Sequence, residues 1–335
     1  MTNRVSYTVP PEISFPEPLT NPSDPRLKHR FQPWEGQAAD VVLIGVPFDE
    51  GVTLGGGRPG AAGGPTALRK ALLRCGTTFD AERGIDFDHL QLADAGDLEV
   101  IPNNVATTHE RLAEVVTVIL DAGAVPISIG GGHDNTFGSV KALMKKYSSV
   151  AGINVDAHLD LREVVDGRIS SGTPFRRILE ELHLPGESLV ELGLHGNVNS
   201  RSHLEYAREQ GVHCLTLGQV RELGAGPAFY QQLQQLETRA ETLFVSIDLD
   251  AFAAAYAPGV SAPGTEGLTP EEGRQLAFAA GRHPGVRLFE LMELNPLFDT
   301  DERTSRLAVL LLCAFLAGLA TRKAAPSARR QKESG

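Results

Sequence analysis

Thiols are scarce. Three cysteines, Cys75, Cys214 and Cys313, stand among 335 residues, and no two share a CxxC spacing. That argues against both a disulfide framework and a thiolate zinc site, and leaves each as a small buried residue. Long apolar runs are missing too. The most apolar stretch, Leu307 to Ala320, has fourteen residues between Arg306 and Arg322, against about 20 for a membrane-spanning helix. It is expected to be a buried core helix. Positive charge is also short: 31 Lys and Arg against 42 Asp and Glu give a formal net charge of -11. That balance argues against a nucleic-acid or anionic-membrane partner. Residues 1–33 are polar and proline-rich, which is not the pattern of a secretory signal. A soluble, cytoplasmic protein that handles a small molecule is expected.

With 41% hydrophobic residues the chain can bury a substantial core. Eight short β-branched runs read as buried parallel strands, at 41–46, 90–94, 125–129, 151–155, 189–193, 213–216, 243–247 and 286–291. Helical patterns separate most of them, at 65–74, 107–122, 135–147, 174–183, 200–210, 226–240, 270–282 and 302–320. Pro65 and Pro270 suit first-turn positions, and Thr269 suits an N-cap. The alternation predicts one α/β domain over 36–322, its mostly parallel sheet covered on both faces. An extended arm packed on a neighbouring subunit is expected over 1–35, and a disordered basic tail over 323–335.

Three of the strands end in metal-ligand chemistry: Gly131-Gly132-His133-Asp134, Asp156-Ala157-His158-Leu159-Asp160 and Asp248-Leu249-Asp250. Ligands of parallel sheets bind beyond the carboxyl ends of the strands. Strand residues at i, i+2 and i+4 share a side, so Asp156, His158 and Asp160 converge, as do Asp248 and Asp250. A lone strand-end aspartate is more often a cap or turn former; six ligand types at three strand ends reverse that reading. Four ionised aspartates in one cleft repel unless neutralised, and two divalent cations match their charge. The oxygen-and-imidazole set without thiolate favours two Mn²⁺ per subunit and leaves zinc, cobalt and iron open. Such a pair activates water, so hydrolysis is the expected chemistry.

At these residues the chain resembles the ureohydrolase family of arginases, agmatinases and formimidoylglutamases. Gly45-Val46-Pro47-Phe48-Asp49, Arg58-Pro59-Gly60-Ala61 with Gly64-Pro65, and Met292-Glu293-Leu294-Asn295-Pro296 extend the likeness over most of the chain. The resemblance implies an arginase-like three-layer α/β/α sandwich with eight parallel strands, assembled as a trimer or hexamer. It implies that Asp156 and Asp248 bridge both metals. His133 and Asp160 would complete one shell, and His158 and Asp250 the other. Within the family, Ser170-Ser171-Gly172-Thr173-Pro174-Phe175 is similar to formimidoylglutamase, with Phe175 where arginases carry a proton-shuttling histidine. Asp160-Leu161-Arg162 and Ala257-Pro258-Gly259-Val260-Ser261-Ala262-Pro263 point the same way. Two departures stand out: Asp134, where glutamate is common, and the alanine-rich segment 251–257, where arginases and agmatinases carry Asp-Pro.

These features imply N-formimino-L-glutamate as substrate, cleaved to L-glutamate and formamide. Its cationic formamidine needs a carboxylate that is not a metal ligand, for which Glu293 is placed. Its carboxylates need donors, and Arg162 and Ser171 occupy positions that face the amino-acid end in the family. Asp160 is expected to relay a proton to the leaving nitrogen, Arg58 to reach substrate, and His195 is a further proton-transfer candidate or an ordinary loop residue. A guanidino-acid hydrolase releasing urea is the nearest alternative. A dinucleotide enzyme using Gly55-Gly56-Gly57-Arg58-Pro59-Gly60 is weaker, because a fingerprint loop turns directly from strand into helix and Pro59 interrupts this one. A non-catalytic, metal-stabilised subunit would bind metal and turn over nothing.

Overall fold

All eight β-branched runs become strands of one sheet in a computed structural model, which describes residues 5–17 and 24–322. In chain order the elements are β1 Thr8–Val9, β2 Phe31–Pro33, β3 Val41–Val46, α1 Glu50–Leu54 and α2 Gly64–Leu72. They continue with β4 Phe79–Asp80, β5 Ile85–Asp86, β6 Leu92–Leu98, α3 Val105–Asp121, β7 Val125–Gly130 and α4 Thr136–Lys146. Next come β8 Val150–Val155, α5 Pro174–Glu180, β9 Leu189–Leu194, α6 Arg201–Gln210, β10 His213–Thr216, α7 Leu217–Leu223 and α8 Ala225–Glu237. The last are β11 Thr242–Asp248, α9 Pro270–Arg282, β12 Val286–Met292 and α10 Arg303–Ala320.

The sheet runs β6-β3-β7-β12-β11-β8-β9-β10, all parallel, with antiparallel β1 and parallel β2 added along β6. Alternation sends successive residues to opposite faces. Val41 and Leu43 join one apolar core with α8, α9 and α10, while Val42 and Ile44 join the other with α3 and α4. Three layers follow. Helix α10 is long and apolar enough to cross a membrane by length and composition, yet most of it is buried against α9 and α2.

Local signals start the helices where expected. Thr269 and Glu272 close a reciprocal capping box, with Pro270 in the first turn of α9. The Asn104 side chain accepts from Thr107 N at 3.0 Å to open α3.

The N-terminal segment differs from expectation. Its described part lies on the chain's own sheet: Thr8–Val9 pairs with Asp97 and Leu98, and Phe31–Pro33 with Leu92 to Asp94. Leu27, Phe31 and Trp34 are buried there, so it is sheet edge and core cover. The predicted tail, 323–335, lies outside the described residues. Beneath this edge Arg69 of α2 is buried against β6. It donates to both Asp94 oxygens at 2.8 and 2.9 Å, to Asp97 Oδ1 at 2.6 Å and to the Gly96 carbonyl at 2.9 Å.

Candidate metal centre

Four adjacent central strands, β7, β12, β11 and β8, end on one side of the sheet. Their register sets Asp248 opposite Met292 and Ile247 opposite Val155. The residues that follow therefore meet: His133 after β7, Asp156, His158 and Asp160 after β8, Asp248 and Asp250 at the end of β11, and Glu293 after β12. This is the arrangement that the three sequence clusters require.

The six ligand types form two groups that share Asp156. One contains His133, Asp156, Asp160 and Asp248; the other contains Asp156, His158 and Asp250, with donor atoms in each within 4.8 Å of one another. His133 Nδ1 lies 3.0 Å from Asp248 Oδ2, 3.2 Å from Asp156 Oδ2 and 3.3 Å from Asp160 Oδ2. One N–H cannot serve three carboxylates, whereas a cation at their common centre can. Asp156 turns Oδ2 to this group and Oδ1 to His158 Nδ1 at 3.4 Å, as a bridging ligand would. His158 Nδ1 is 3.2 Å from Asp250 Oδ2. Asp248 stands in the first group, its Oδ1 accepting from Asp250 N at 2.7 Å.

Electrostatics marks the cluster as incomplete. Burial and neighbouring carboxylates push Asp160 and Asp248 above the usual carboxylate range, and Asp250 up to about 6. Burial pushes Asp156 up too, but hydrogen bonds from His133 and His158 outweigh it and hold it below that range. Burial opposes charge on His158, yet Asp250 and Asp156 raise it to about 12. Without cations, two imidazole protons face four carboxylates. Two divalent ions fit the donors, the charge and the geometry. The ligands would lose those protons on binding.

A cleft of about 780 Å³ opens over this cluster, lined by His158, Asp160, Asp248, Asp250 and Glu293, and by Arg162, Ser171 and Ser261. Arg162 is exposed and lies against Gly172, and its backbone N–H donates to the Gly172 carbonyl at 2.9 Å. The Arg162 and Ser171 loops are thereby pinned side by side. Glu293 is buried with φ at +66°, a conformation costly for a residue with a Cβ. Its N–H donates to the Gly131 carbonyl at 2.9 Å, and its Oε1 accepts from His133 N at 2.9 Å. Oε2 has no protein partner among the described residues, and burial pushes the carboxyl up to about 8. A cationic group held in the cleft would supply that partner.

Three residues singled out in the sequence stand outside the cleft lining. Arg58 does not line the cleft: Nε donates to Ser261 O at 3.3 Å, Nη2 to Val260 O at 2.5 Å, and its guanidinium stacks on Phe298 at 3.9 Å. Phe175 is buried edge-on against the His133 ring at 5.4 Å and does not line the cleft. His195 is buried outside the cleft lining, where desolvation lowers its pKa. The glycine loop also fails as a dinucleotide turn, because α1 stands between β3 and Gly55. The alanine-rich departure folds back on itself, with Ala253 and Ala254 N–H donating to Leu268 and Gly264 carbonyls at 3.2 and 2.8 Å.

Other side chains support the ligands and went unread in the sequence. Ser246 Oγ lies 3.0 Å from His133 Nε2, fixing the ring so that Nδ1 faces the cluster. Asn154 donates to Glu191 at 2.8 Å and to Asp156 Oδ2 at 3.3 Å. Ser246 and Asn154 each sit two residues before an aspartate ligand, so strand alternation was the available signal. Asp134, the mild departure, reaches His109 Nε2 at 2.9 Å.

A family model described as the arginase family matches residues 39–318. The chain belongs to the arginase family. It is 32% identical over 291 residues to the formimidoylglutamase of Halalkalibacterium halodurans, covering 86% of this chain and 90% of the relative. It is 31% identical over 284 residues to the human mitochondrial guanidino acid hydrolase, covering 84% and 79%. The crystal structure of Trypanosoma cruzi formiminoglutamase with Mn²⁺ matches with a TM-score of 0.84 and 38% identity, covering 90% of this chain and all of that one. This chain is therefore an arginase-family metallohydrolase with an α/β fold, and its two adjacent His/Asp groups are those of a binuclear centre. A small amidine or guanidino substrate follows from the family.

Proposed function

We propose that this arginase-family hydrolase cleaves N-formimino-L-glutamate with water to L-glutamate and formamide, using two Mn²⁺ per subunit. The observation that carries the reading is the pairing of opposite readers across one cleft. The unpartnered Oε2 of buried Glu293 suits a cationic formamidine, while Arg162, which makes no ion pair among the described residues, suits a carboxylate tail. Manganese is supported by the oxygen-and-imidazole donor set and by the Mn²⁺ in the T. cruzi relative. Association of subunits into a trimer or hexamer remains part of the proposal.

Bound in the two groups, the cations would supply a water acidified toward neutral pH and Lewis-acid stabilisation of developing charge. His133, Asp156, Asp160 and Asp248 would hold one ion, and Asp156, His158 and Asp250 the other. The chain does the rest. Glu293 Oε2 anchors the formamidine and aligns its carbon over the cluster, while Arg162 and Ser171 fix the acid end. Asp160, which lines the cleft, takes the proton of the attacking water and returns it to the nitrogen that leaves as glutamate.

A product assay on manganese-loaded protein tests this, with formiminoglutamate, arginine, agmatine and guanidinobutyrate side by side. Formamide release from the first alone is expected. The second reading, a guanidino-acid hydrolase, is favoured by the near-equal identity to the human guanidino acid hydrolase and by a Glu293 suited to either cation. Urea release from a guanidino acid at a higher kcat/KM would establish it instead.

A further inference from the structure

Three loops at the cleft rim are laced together by side chains that the chemistry above does not use. Arg58, from the glycine loop, donates from Nε to Ser261 O at 3.3 Å and from Nη2 to Val260 O at 2.5 Å and Pro258 O at 3.4 Å. Buried Asn295, two residues beyond Glu293, donates from Nδ2 to the Arg58 and Pro59 carbonyls, each at 3.1 Å. Its backbone N–H donates to Gly259 O at 2.7 Å. So the loop carrying Ser261 is tied to the glycine loop by Arg58 and to the Glu293 loop by Asn295.

The fork geometry matters. Carbonyls at 258, 260 and 261 point from an irregular segment toward one place, and a planar guanidinium can meet several acceptors that an ammonium cannot. Phe298 covers the guanidinium face, which leaves no room for Arg58 to swing toward substrate without losing its stacking. Ser261 itself lines the cleft together with Glu293.

We propose that Arg58 is a positioning residue for the cationic-head subsite: by clamping residues 258–261 it holds Ser261 beside Glu293. Affinity for an amidinium or guanidinium head then depends on a residue that never touches it. The inference rests on the reading of Glu293 as acceptor of that head.

The test uses manganese-loaded, full-length Arg58→Ala, Arg58→Lys, Ser261→Ala, the Arg58→Ala/Ser261→Ala double variant and Glu293→Gln. Calorimetry measures binding of guanidinium ion, a head without a tail, and of L-glutamate, a tail without a head. Arg58→Ala and Arg58→Lys should each weaken guanidinium about tenfold, the scale of one lost hydrogen bond to a charged group. Glutamate affinity should stay within about twofold, and the double variant should be no weaker than Ser261→Ala alone. In metal-free protein, amide hydrogen exchange over 258–263 should quicken in both Arg58 variants.

Equal loss for both probes would make Arg58 a tail contact and overturn the proposal. So would multiplying losses in the double variant, or unchanged exchange in the loop. If Glu293→Gln leaves guanidinium binding intact, the head assignment fails and the proposal falls with it. If Glu293→Gln weakens guanidinium and Arg58→Ala does not, only the role of Arg58 is wrong.

Discussion

Two buried clusters of charge in this chain are completed in different ways. At the sheet edge, Arg69 faces Asp94 and Asp97, and its Nε, Nη1 and Nη2 atoms all find acceptors within 2.9 Å. At the strand ends, four aspartates face two imidazoles, and Asp250 Oδ1 and Glu293 Oε2 are left without partners among the described residues. Both clusters carry the desolvation cost of burying ions. Only the first finds all the hydrogen-bond partners of its cation within the chain. A carboxylate cluster that the protein completes is architecture, and one that it leaves open is a receptor, here for metal ions and a cationic substrate.

The comparison breaks most visibly at the open cluster. Asp248→Ala should abolish turnover and lower bound metal, with a loss well beyond the roughly 10–100-fold that outer partners of metal ligands cost. Metal content and kcat on the purified variant check it; surviving activity would mean the first group does not need Asp248. Removing the cation from the closed cluster should act on folding instead. Arg69→Met leaves Asp94 and Asp97 buried without a counter-charge, and should lose about 3–5 kcal/mol in urea unfolding. The folded fraction should keep its metal. If Arg69→Met also empties the centre, the two clusters are not independent.

What the sequence revealed follows the same division. Ligand types directly after β-branched runs were readable because a strand and its end are local. That four of those strands are neighbours, β7-β12-β11-β8, is set by pairing between residues up to about 160 positions apart and was visible only through resemblance. The edge was misread for that reason: Phe31–Pro33 looks like an arm until β6 supplies its partner. The anchoring of Arg58 is not legible locally because its acceptors lie some 200 residues on. Helix α7 was missed although Thr216 and Gln219 spell its capping box, since seven residues carry little periodicity.

Metal removal sharpens the contrast at a smaller scale. A ligand that binds only the folded state at 100 times its Kd adds about 2.7 kcal/mol, so chelation should lower unfolding stability by about that amount. The loss from chelation and the loss from Arg69→Met should add to within roughly 0.5 kcal/mol, because the clusters share no partner. Strong non-additivity would show that one cluster reports on the other.

Arg162→Ala probes the rim of the open cluster and should have the smallest effect. The guanidinium is exposed, so its field is screened by water and it contributes less than a buried pair. Its value lies in direct hydrogen bonds to a carboxylate, and losing one to a charged group is worth about tenfold in affinity. KM for formiminoglutamate should therefore rise about tenfold with kcat little changed, the pattern of lost uniform binding. Agmatine, with no carboxylate, should bind the variant as it binds the parent. The stem of Arg162 also packs over Gly172, so Arg162→Lys separates packing from recognition. Lysine keeps much of the stem and the charge but not the two-pronged donor set. If Arg162→Lys restores the KM, charge alone reads the tail. If it does not, the fork reads it, and the open cluster carries geometric selection at its rim as well as at its metals.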